Sequence, residues 1–246
     1  MYINTTGLVL RETAYKDSSK ILTILTSGEG KLTVTARGAL RRNSKLAAMT
    51  QLLAFSEMTL FSNRDRWTLT EARSVEQFIG LRDDLELLAL GAYFAELVEA
   101  VSDEDSPNPE LLPMCLNALF ALSEKIKKPE QVKPSFELRL MAASGFAPLI
   151  EHCELCGAEE PETAFLDLYG GTFRCRGCGV AEGAELGRGA LNAARYIIGC
   201  EAKKIFSFSI SDAALRELTV AAEGYLLAHL DRRFRTLDYY KGIQKI

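Results

Sequence analysis

The spacing of apolar residues changes character at Gly80. Before it, short runs at 7–13, 20–26, 31–37, 51–61 and 67–74 alternate or are rich in β-branched residues, with turn formers between them; after it, apolar residues recur every three to four positions. A period of 2 fits half-buried strands and a period near 3.6 fits helices. The chain is therefore expected to fold as α+β, with a β part first and an α part after it.

Five short strands within the first 80 residues predict a small closed barrel, either of the oligonucleotide-binding (OB) type or SH3-like; the pattern alone does not choose. The sharpest run is Lys31-Leu32-Thr33-Val34-Thr35-Ala36-Arg37, where alternation points Leu32, Val34 and Ala36 inward. Ser27-Gly28-Glu29-Gly30 before it reads as a hairpin turn. In the fifth run Trp67 and Leu69 share one face, and Arg66, Thr68 and Thr70 share the other.

Beyond Gly80 a helix is predicted over 83–101, opened by Asp83 and Asp84 and carrying Leu85, Leu88, Ala89, Ala92, Leu97, Val98 and Val101. A polar loop at 103–109 follows. A second helix is expected to run to about Lys127, a third to start after Pro134 and stop near Gly145, and further helices to occupy 187–199 and 212–231. The last carries Leu215, Leu218, Ala222, Tyr225, Leu226 and Leu230 on one face. The expected organisation is a barrel at 1–80 and a helical domain at 81–150 and 181–246, with a separate element inserted at 151–180.

That insert contains Cys153-Glu154-Leu155-Cys156 and Cys175-Arg176-Gly177-Cys178, a C-x2-C-x18-C-x2-C arrangement. Two thiolates so spaced bend round one ion, and two such knuckles supply the tetrahedral sulfur set that Zn²⁺ prefers. Gly157 and Gly179 follow each pair, where the backbone must turn. Between the knuckles, 163–168 and 172–174 flank Tyr169-Gly170-Gly171 and read as a hairpin, making the unit a zinc ribbon. Neither pair sits at the strand-to-helix junction that a thioredoxin-type redox site needs. Four cysteine ligands leave no open position, so the one zinc expected per chain is structural. His152 adjoins the first knuckle as a surface neighbour, and Cys115 and Cys200 read as small buried hydrophobes.

The formal charge of −4 hides a division. Residues 1–80 carry 11 Lys and Arg against 7 Asp and Glu, and the remainder carries 18 against 26. The basic excess gathers at Lys31, Arg37, Arg41, Arg42, Lys45, Arg64, Arg66 and Arg73, on strand faces or in the loop 38–48. With Tyr15, Phe55 or Phe61 as stacking rings, this is either a groove for a phosphate backbone or a solvated surface. A second basic cluster, Arg232, Arg233 and Arg235 with Lys241 and Lys245, ends the chain. Asp83, Asp84, Glu86, Glu96, Glu99, Asp103, Glu104, Asp105 and Glu110 are expected to form a solvated acidic face.

Several chemistries lack their parts. Gly28-Glu29-Gly30-Lys31 is no phosphate-binding loop, because Leu25 and Leu32 stand where that motif needs Gly and Ser or Thr. With only two histidines and no G-x-S-x-G or H-E-x-x-H, no catalytic residue is assigned. The longest uncharged run, 13 residues at 111–123, is too short to span a membrane, and the N-terminus does not resemble a secretory signal. A cytoplasmic binding protein without catalysis is expected.

The order of parts carries a resemblance. A basic barrel opens at Gly7-Leu8-Val9-Leu10-Arg11; helices lead to Phe136-Glu137-Leu138-Arg139-Leu140 and Gly145-Phe146-Ala147-Pro148; the four cysteines follow; and a final helix ends His229-Leu230-Asp231-Arg232-Arg233-Phe234-Arg235-Thr236-Leu237. Over essentially its whole length the chain resembles the RecO family of bacterial recombination mediators. The resemblance implies an N-terminal OB-fold, a helical domain and a zinc-binding element, degenerate in some members but intact here. It implies binding of single- and double-stranded DNA, annealing of complementary strands, and work at the nucleoid with RecR and single-stranded-DNA-binding protein to let RecA load on gapped DNA. Transferred to this chain, the DNA surface is Lys31, Arg37, Arg41, Arg42, Lys45, Arg64 and Arg66, with RecR contact sharing the barrel. Arg232, Arg233 and Arg235 are then candidates for the acidic tail of the single-strand-binding protein. The alternative is a zinc-ribbon adaptor, for example one associated with transcription, whose basic barrel takes a protein partner.

Overall fold

In the computed structural model, which describes residues 1–64, 66–104, 106–179 and 182–244, the alternating runs form five strands. These are β1 (Tyr2–Tyr15), β2 (Ser19–Thr26), β3 (Lys31–Ala36), β4 (Phe55–Asn63) and β5 (Arg66–Glu76). They close into a barrel of OB type in the order β1-β2-β3-β5-β4. Neighbours run antiparallel except β3 and β5, which pair in parallel through Val34 with Trp67 and Thr35 with Thr68. Leu32, Val34 and Ala36 are buried as their alternation predicts, packed with Val9, Ile24, Met58, Leu60 and Leu69, and Trp67 is half-buried against them. β4 starts at Phe55 rather than at 51. Leu53 adopts a left-handed backbone (φ 65°), its N–H donates to the Val9 carbonyl at 2.9 Å, and the segment turns instead of extending. Buried apolar residues in a turn look like strand to a period count.

The helices are α1 (Ile79–Arg82), α2 (Leu85–Val101), α3 (Leu111–Ser123), α4 (Pro129–Ala143), α5 (Arg188–Gly199), α6 (Asp212–Leu230) and α7 (Arg235–Ile243). Asp84 opens α2 by accepting from the N–H groups of Glu86 and Leu87. Two boundaries differ from expectation. α3 stops at Ser123, and Lys125 beyond it is left-handed (φ 52°). α4 begins at Pro129, where a missing N–H costs nothing, and it runs through Pro134 near its start, giving up one backbone bond. The helix expected at 212–231 is α6, ended by left-handed Asp231, and α7 beyond it is a further helix that the spacing did not predict.

The acidic stretch is a solvated face only in part: Asp83, Asp103, Glu104 and Glu110 are exposed, whereas others are tied to neighbours. Glu99 pairs with Arg11 at 2.9 Å and Glu96 accepts from the Thr236 N–H at 3.2 Å, while the backbone of Glu104 bridges to Gly30 and Lys31 at the start of β3. Asp105 lies outside the described residues.

The chain divides into two compact units, Met1–Glu124 with Phe234–Ile246, and Lys125–Arg233. The first holds the barrel, α1, α2, α3 and α7. Phe234 meets Tyr93 of α2 edge-on at 6.0 Å, and Gly91 of α2 leaves room for Leu53 under the barrel. The second unit holds α4, α5, α6 and a three-stranded sheet of β6 (Thr163–Leu166), β7 (Phe173–Cys175) and β8 (Ala184–Gly187) in the order β7-β6-β8. Between α4 and α6, buried Lys133 donates to Glu137 at 2.7 Å and to Glu223 at 2.8 Å. Burial lowers the Lys133 pKa, but the two carboxylates outweigh it and hold it above the ordinary value. Removing one member of such a set leaves an uncompensated buried charge.

Close packing of α1 on α3 yields a test. A methyl group on Gly80 would lie 2.1 Å from the Ser123 carbonyl oxygen, which belongs to the backbone and cannot swing aside. Gly80→Ala is expected to lower stability by about 1–3 kcal/mol in urea unfolding. Gly28→Ala, whose added methyl meets nothing within 4 Å, should stay near the parent value. Equal behaviour of the two would refute this packing.

Candidate nucleic-acid interface and metal centre

The loop that leaves β3 is long but tied down. Its Leu40 N–H donates to the Ser18 carbonyl at 3.0 Å and its Gly38 N–H to the Ser19 hydroxyl at 3.4 Å, which fastens it to the β1–β2 turn. At its base, buried Lys20 donates to the Thr50 carbonyl at 3.2 Å and pairs with Glu12, while Glu12 accepts from the Leu52 N–H at 2.9 Å. Turns within it link Arg41 to Gly38 and Ser44 to Arg41. The result is a fixed loop whose Arg37, Arg41, Arg42 and Lys45 all face solvent. Tyr15 stands at the neighbouring turn, 39% exposed, with the Lys16 ammonium 5.1 Å from its ring centre. Four loop cations, a fifth at Lys16 and an exposed ring thus share one end of the barrel. Lys16 was missed in the sequence, where its signal was only its place between the first two strands.

The remaining candidates lie elsewhere. Arg66, exposed at the start of β5, precedes Trp67 and so sits level with Thr33, about 13 Å along the strand from Arg37. Arg64, left-handed at φ 51°, is in the turn before it. Lys31 is half-buried, and its ammonium donates to the Glu99 carbonyl at the end of α2, 3.0 Å away. Arg73 faces Glu57 at 4.0 Å. Phe55 and Phe61 are half-buried, and Phe61 packs on the exposed ring of Tyr2, which sequence reading passed over. Arg232 and Arg233 are exposed just past α6, and Arg235 is exposed in the first turn of α7. Arg233 ends one compact unit and Arg235 belongs to the other. Lys241 is half-buried in the last turn of α7, and Lys245 lies outside the described residues.

The four knuckle cysteines converge. The sulfur atoms of Cys153, Cys156, Cys175 and Cys178 lie within 4.8 Å of one another, with Cys153 to Cys178 at 3.9 Å and Cys156 to Cys175 at 3.6 Å. Four sulfurs bound tetrahedrally at ~2.3 Å stand about 3.8 Å apart, so the cluster is of a size to hold one metal ion. His152 is exposed and outside the cluster. Burial pushes the Cys153 thiol up, but backbone N–H groups of Cys175, Cys156 and Leu155 outweigh it and bring the thiol down to about 6. Cys178, hydrogen-bonded to the sulfurs of Cys156 and Cys175, is pushed up to about 12. Metal ligation takes thiolates, and the surroundings of Cys153 favour that form. Gly157 (φ 75°) and Gly179 (φ 111°) take backbone angles that other residues avoid, and no atom lies within 4 Å of an added methyl at either. Their requirement is a dihedral one, not crowding. Cys115 is buried and its thiol is pushed up to about 12 by burial, whereas Cys200 is half-buried at the end of α5, not the buried hydrophobe expected.

Arg195 of α5 holds the ribbon in place. Its guanidinium donates to the carbonyls of Ile150 and Glu151 at 2.7 Å and of Glu159 at 2.6 Å, bracketing the first knuckle. It also lies over the Phe173 ring, 5.9 Å from its centre.

These features define a class: a two-unit binding protein with a basic-rimmed OB-type barrel and a helical body built round a four-cysteine metal site. Family models described as Recombination protein O N terminal and Recombination protein O C terminal match residues 1–78 and 82–238. The chain is 33% identical to the DNA repair protein RecO of Acetivibrio thermocellus, over 100% of this chain and 98% of that protein. It is 29% identical to that of Caldicellulosiruptor bescii, over 98% and 99%, and 32% identical to that of Symbiobacterium thermophilum, over 96% and 95%. The chain belongs to the RecO family of DNA repair and recombination proteins, which are non-enzymatic mediators. Among the described residues, no helix is long and apolar enough to cross a membrane.

Arg195 gives the site its test. Lysine keeps the charge but cannot fork to three carbonyls. Arg195→Lys is expected to speed metal transfer to a chromogenic chelator several-fold while leaving the Trp67 emission of the barrel unchanged; an unaltered transfer rate would show that the fork does not hold the ribbon.

Proposed function

We propose that this chain is a DNA-binding recombination mediator that takes single- and double-stranded DNA on its barrel, anneals complementary strands and, with RecR, assists RecA to load on DNA coated with single-strand-binding protein. The observation that carries this reading is the fixed basic loop. Arg37, Arg41, Arg42 and Lys45 stand on backbone already ordered by Ser18, Lys20 and Glu12, so phosphates meet preset charges. Screening two strands at one rim also reduces the repulsion that opposes their pairing. Arg64 and Arg66 extend the DNA surface, Lys31 supports it from the α2 side, and RecR shares part of the barrel. Arg232, Arg233 and Arg235 take the acidic tail of the single-strand-binding protein. The cysteine cluster holds one structural Zn²⁺, and the protein works in the cytoplasm at the nucleoid.

Each neutralised phosphate of a single strand contributes about 0.7 to the slope of log affinity against log salt. The combined Arg37→Glu, Arg41→Glu and Arg42→Glu variant is expected to bind an oligonucleotide about tenfold or more weakly at low salt, with the slope shallower by about 2. Unchanged affinity and slope would overturn the rim assignment.

For the metal, elemental analysis of untagged protein should give about one zinc per chain. Chelation should then lower the melting temperature of the Lys125–Arg233 unit while Trp67, the sole tryptophan, reports an intact barrel. A folded protein with no metal and four titratable thiols would refute the zinc.

A further inference from the structure

The barrel register places one row of outward side chains across four strands. Tyr2 of β1 stands opposite Phe61 of β4, Phe61 opposite Thr68 of β5, and Thr68 opposite Thr35 of β3 across the parallel pair that closes the barrel. All four share the outer face, since Ile3, Leu60, Trp67 and Val34 between them pack on the core. The row spans about 14 Å at the usual strand separation. At one end, the rings of Tyr2 and Phe61 lie 4.7 Å apart and tilted by 42°, with Tyr2 66% exposed. At the other, Arg37 follows Thr35 two positions on along the same face of β3 and leads into the basic loop. Arg66 flanks the row from the opposite side, two positions before Thr68 on β5, with Arg64 in the adjoining turn; Asp65 between them lies outside the described residues.

We propose that Tyr2, seated on Phe61, is a base-stacking subsite for single-stranded DNA, reached by a strand that runs from the basic loop across Thr35 and Thr68. The inference rests on the proposed DNA binding and adds to it the element that distinguishes a single strand from a duplex. An exposed aromatic face accepts any unpaired base, whereas the bases of a duplex are already stacked on one another. The cations beside the row match a polyanion, and the same face turns acidic further along. There Glu57 and Glu71 line a groove of about 560 Å³ with Asn4, Thr59 and Arg73, which bounds the track on that side. The half-buried Thr68 and Thr35 keep the middle of the row low and polar, so a sugar-phosphate chain meets hydroxyls between the rings and Arg37.

The test compares a deoxythymidine oligonucleotide with a duplex of equal length, titrated against wild type, Tyr2→Ala and Tyr2→Phe. Tyr2→Ala is expected to bind the single strand about tenfold more weakly, with the salt slope unchanged and duplex affinity within about twofold. Tyr2→Phe, which keeps a ring, should bind both like wild type. As a measurement independent of variant folding, a 5-iodouracil oligonucleotide irradiated with the wild-type chain should crosslink to the tryptic peptide 1–11, and the duplex should not. If Tyr2→Ala leaves single-strand affinity unchanged, or weakens both DNAs equally, the subsite is wrong while DNA binding stands. If crosslinks fall only outside that peptide, it is wrong as well. A wild-type chain that binds neither DNA would overturn the proposed function and this subsite together.

Discussion

The parallel pairing of β3 with β5 is the constraint on which the rest of the barrel depends. Strands joined by a hairpin are antiparallel, so a parallel neighbour obliges the chain to leave the sheet before it returns. Here it leaves at Arg37 and returns at Phe55, passing first to β4 and only then, by a hairpin, to β5. The basic loop is that excursion. A connection of this length is ordinarily mobile, but two hydrogen bonds to the β1–β2 turn and the Lys20, Glu12 and Thr50 group at its base hold it. Barrel closure thus accounts for the basic loop and for the row from Tyr2 to Thr35, because the closing pair makes Thr68 and Thr35 neighbours.

In the second unit the organising contact is the sulfur cluster. β6, β7 and β8 are three or four residues each, too short to bury much apolar surface. An ion held by the four cysteines would supply what so small a sheet lacks, and Arg195 ties the first knuckle to α5 through three carbonyls. On the other side of the unit, Lys133 with Glu137 and Glu223 fixes α4 on α6. Polar contacts of this kind contribute little net stability but accept few alternative arrangements.

How much of this was legible in the sequence depends on the range of the interactions involved. Leu32, Val34 and Ala36 announced their burial by alternation, and the cysteines announced a metal site by spacing, because both signals lie within a few residues or one repeated motif. The burial of Leu53 in a turn and the continuation of α4 through Pro134 were hidden, since tertiary packing overrides local preference there. Lys31 illustrates a subtler failure. Its alternation correctly placed it on the outward face, but nothing local showed that α2 would end beside it and take its ammonium. Tyr2 was overlooked because its significance comes from Phe61, 59 positions away, and only strand register joins them.

The same reasoning changes what the charge count means. A division at residue 80 suggested a basic barrel and an acidic remainder, yet the compact unit that contains the barrel carries 15 Lys and Arg against 18 Asp and Glu. The acid of α2 and the loop after it belongs to the barrel's own unit. Little of it is answered by the barrel's cations: the Glu99 carboxylate pairs with Arg11, but Lys31 takes only the Glu99 backbone carbonyl, and Asp83, Asp103, Glu104 and Glu110 stay exposed. Charges more than a Debye length apart, about 8 Å at physiological salt, are largely screened from one another in solvent. A polyanion approaching Arg37, Arg41 and Arg42 therefore responds to the cations nearest it more than to the sum over the unit. Net charge, whether of the chain or of either unit, therefore says little about the local field that a polyanion meets at the exposed Arg37, Arg41 and Arg42.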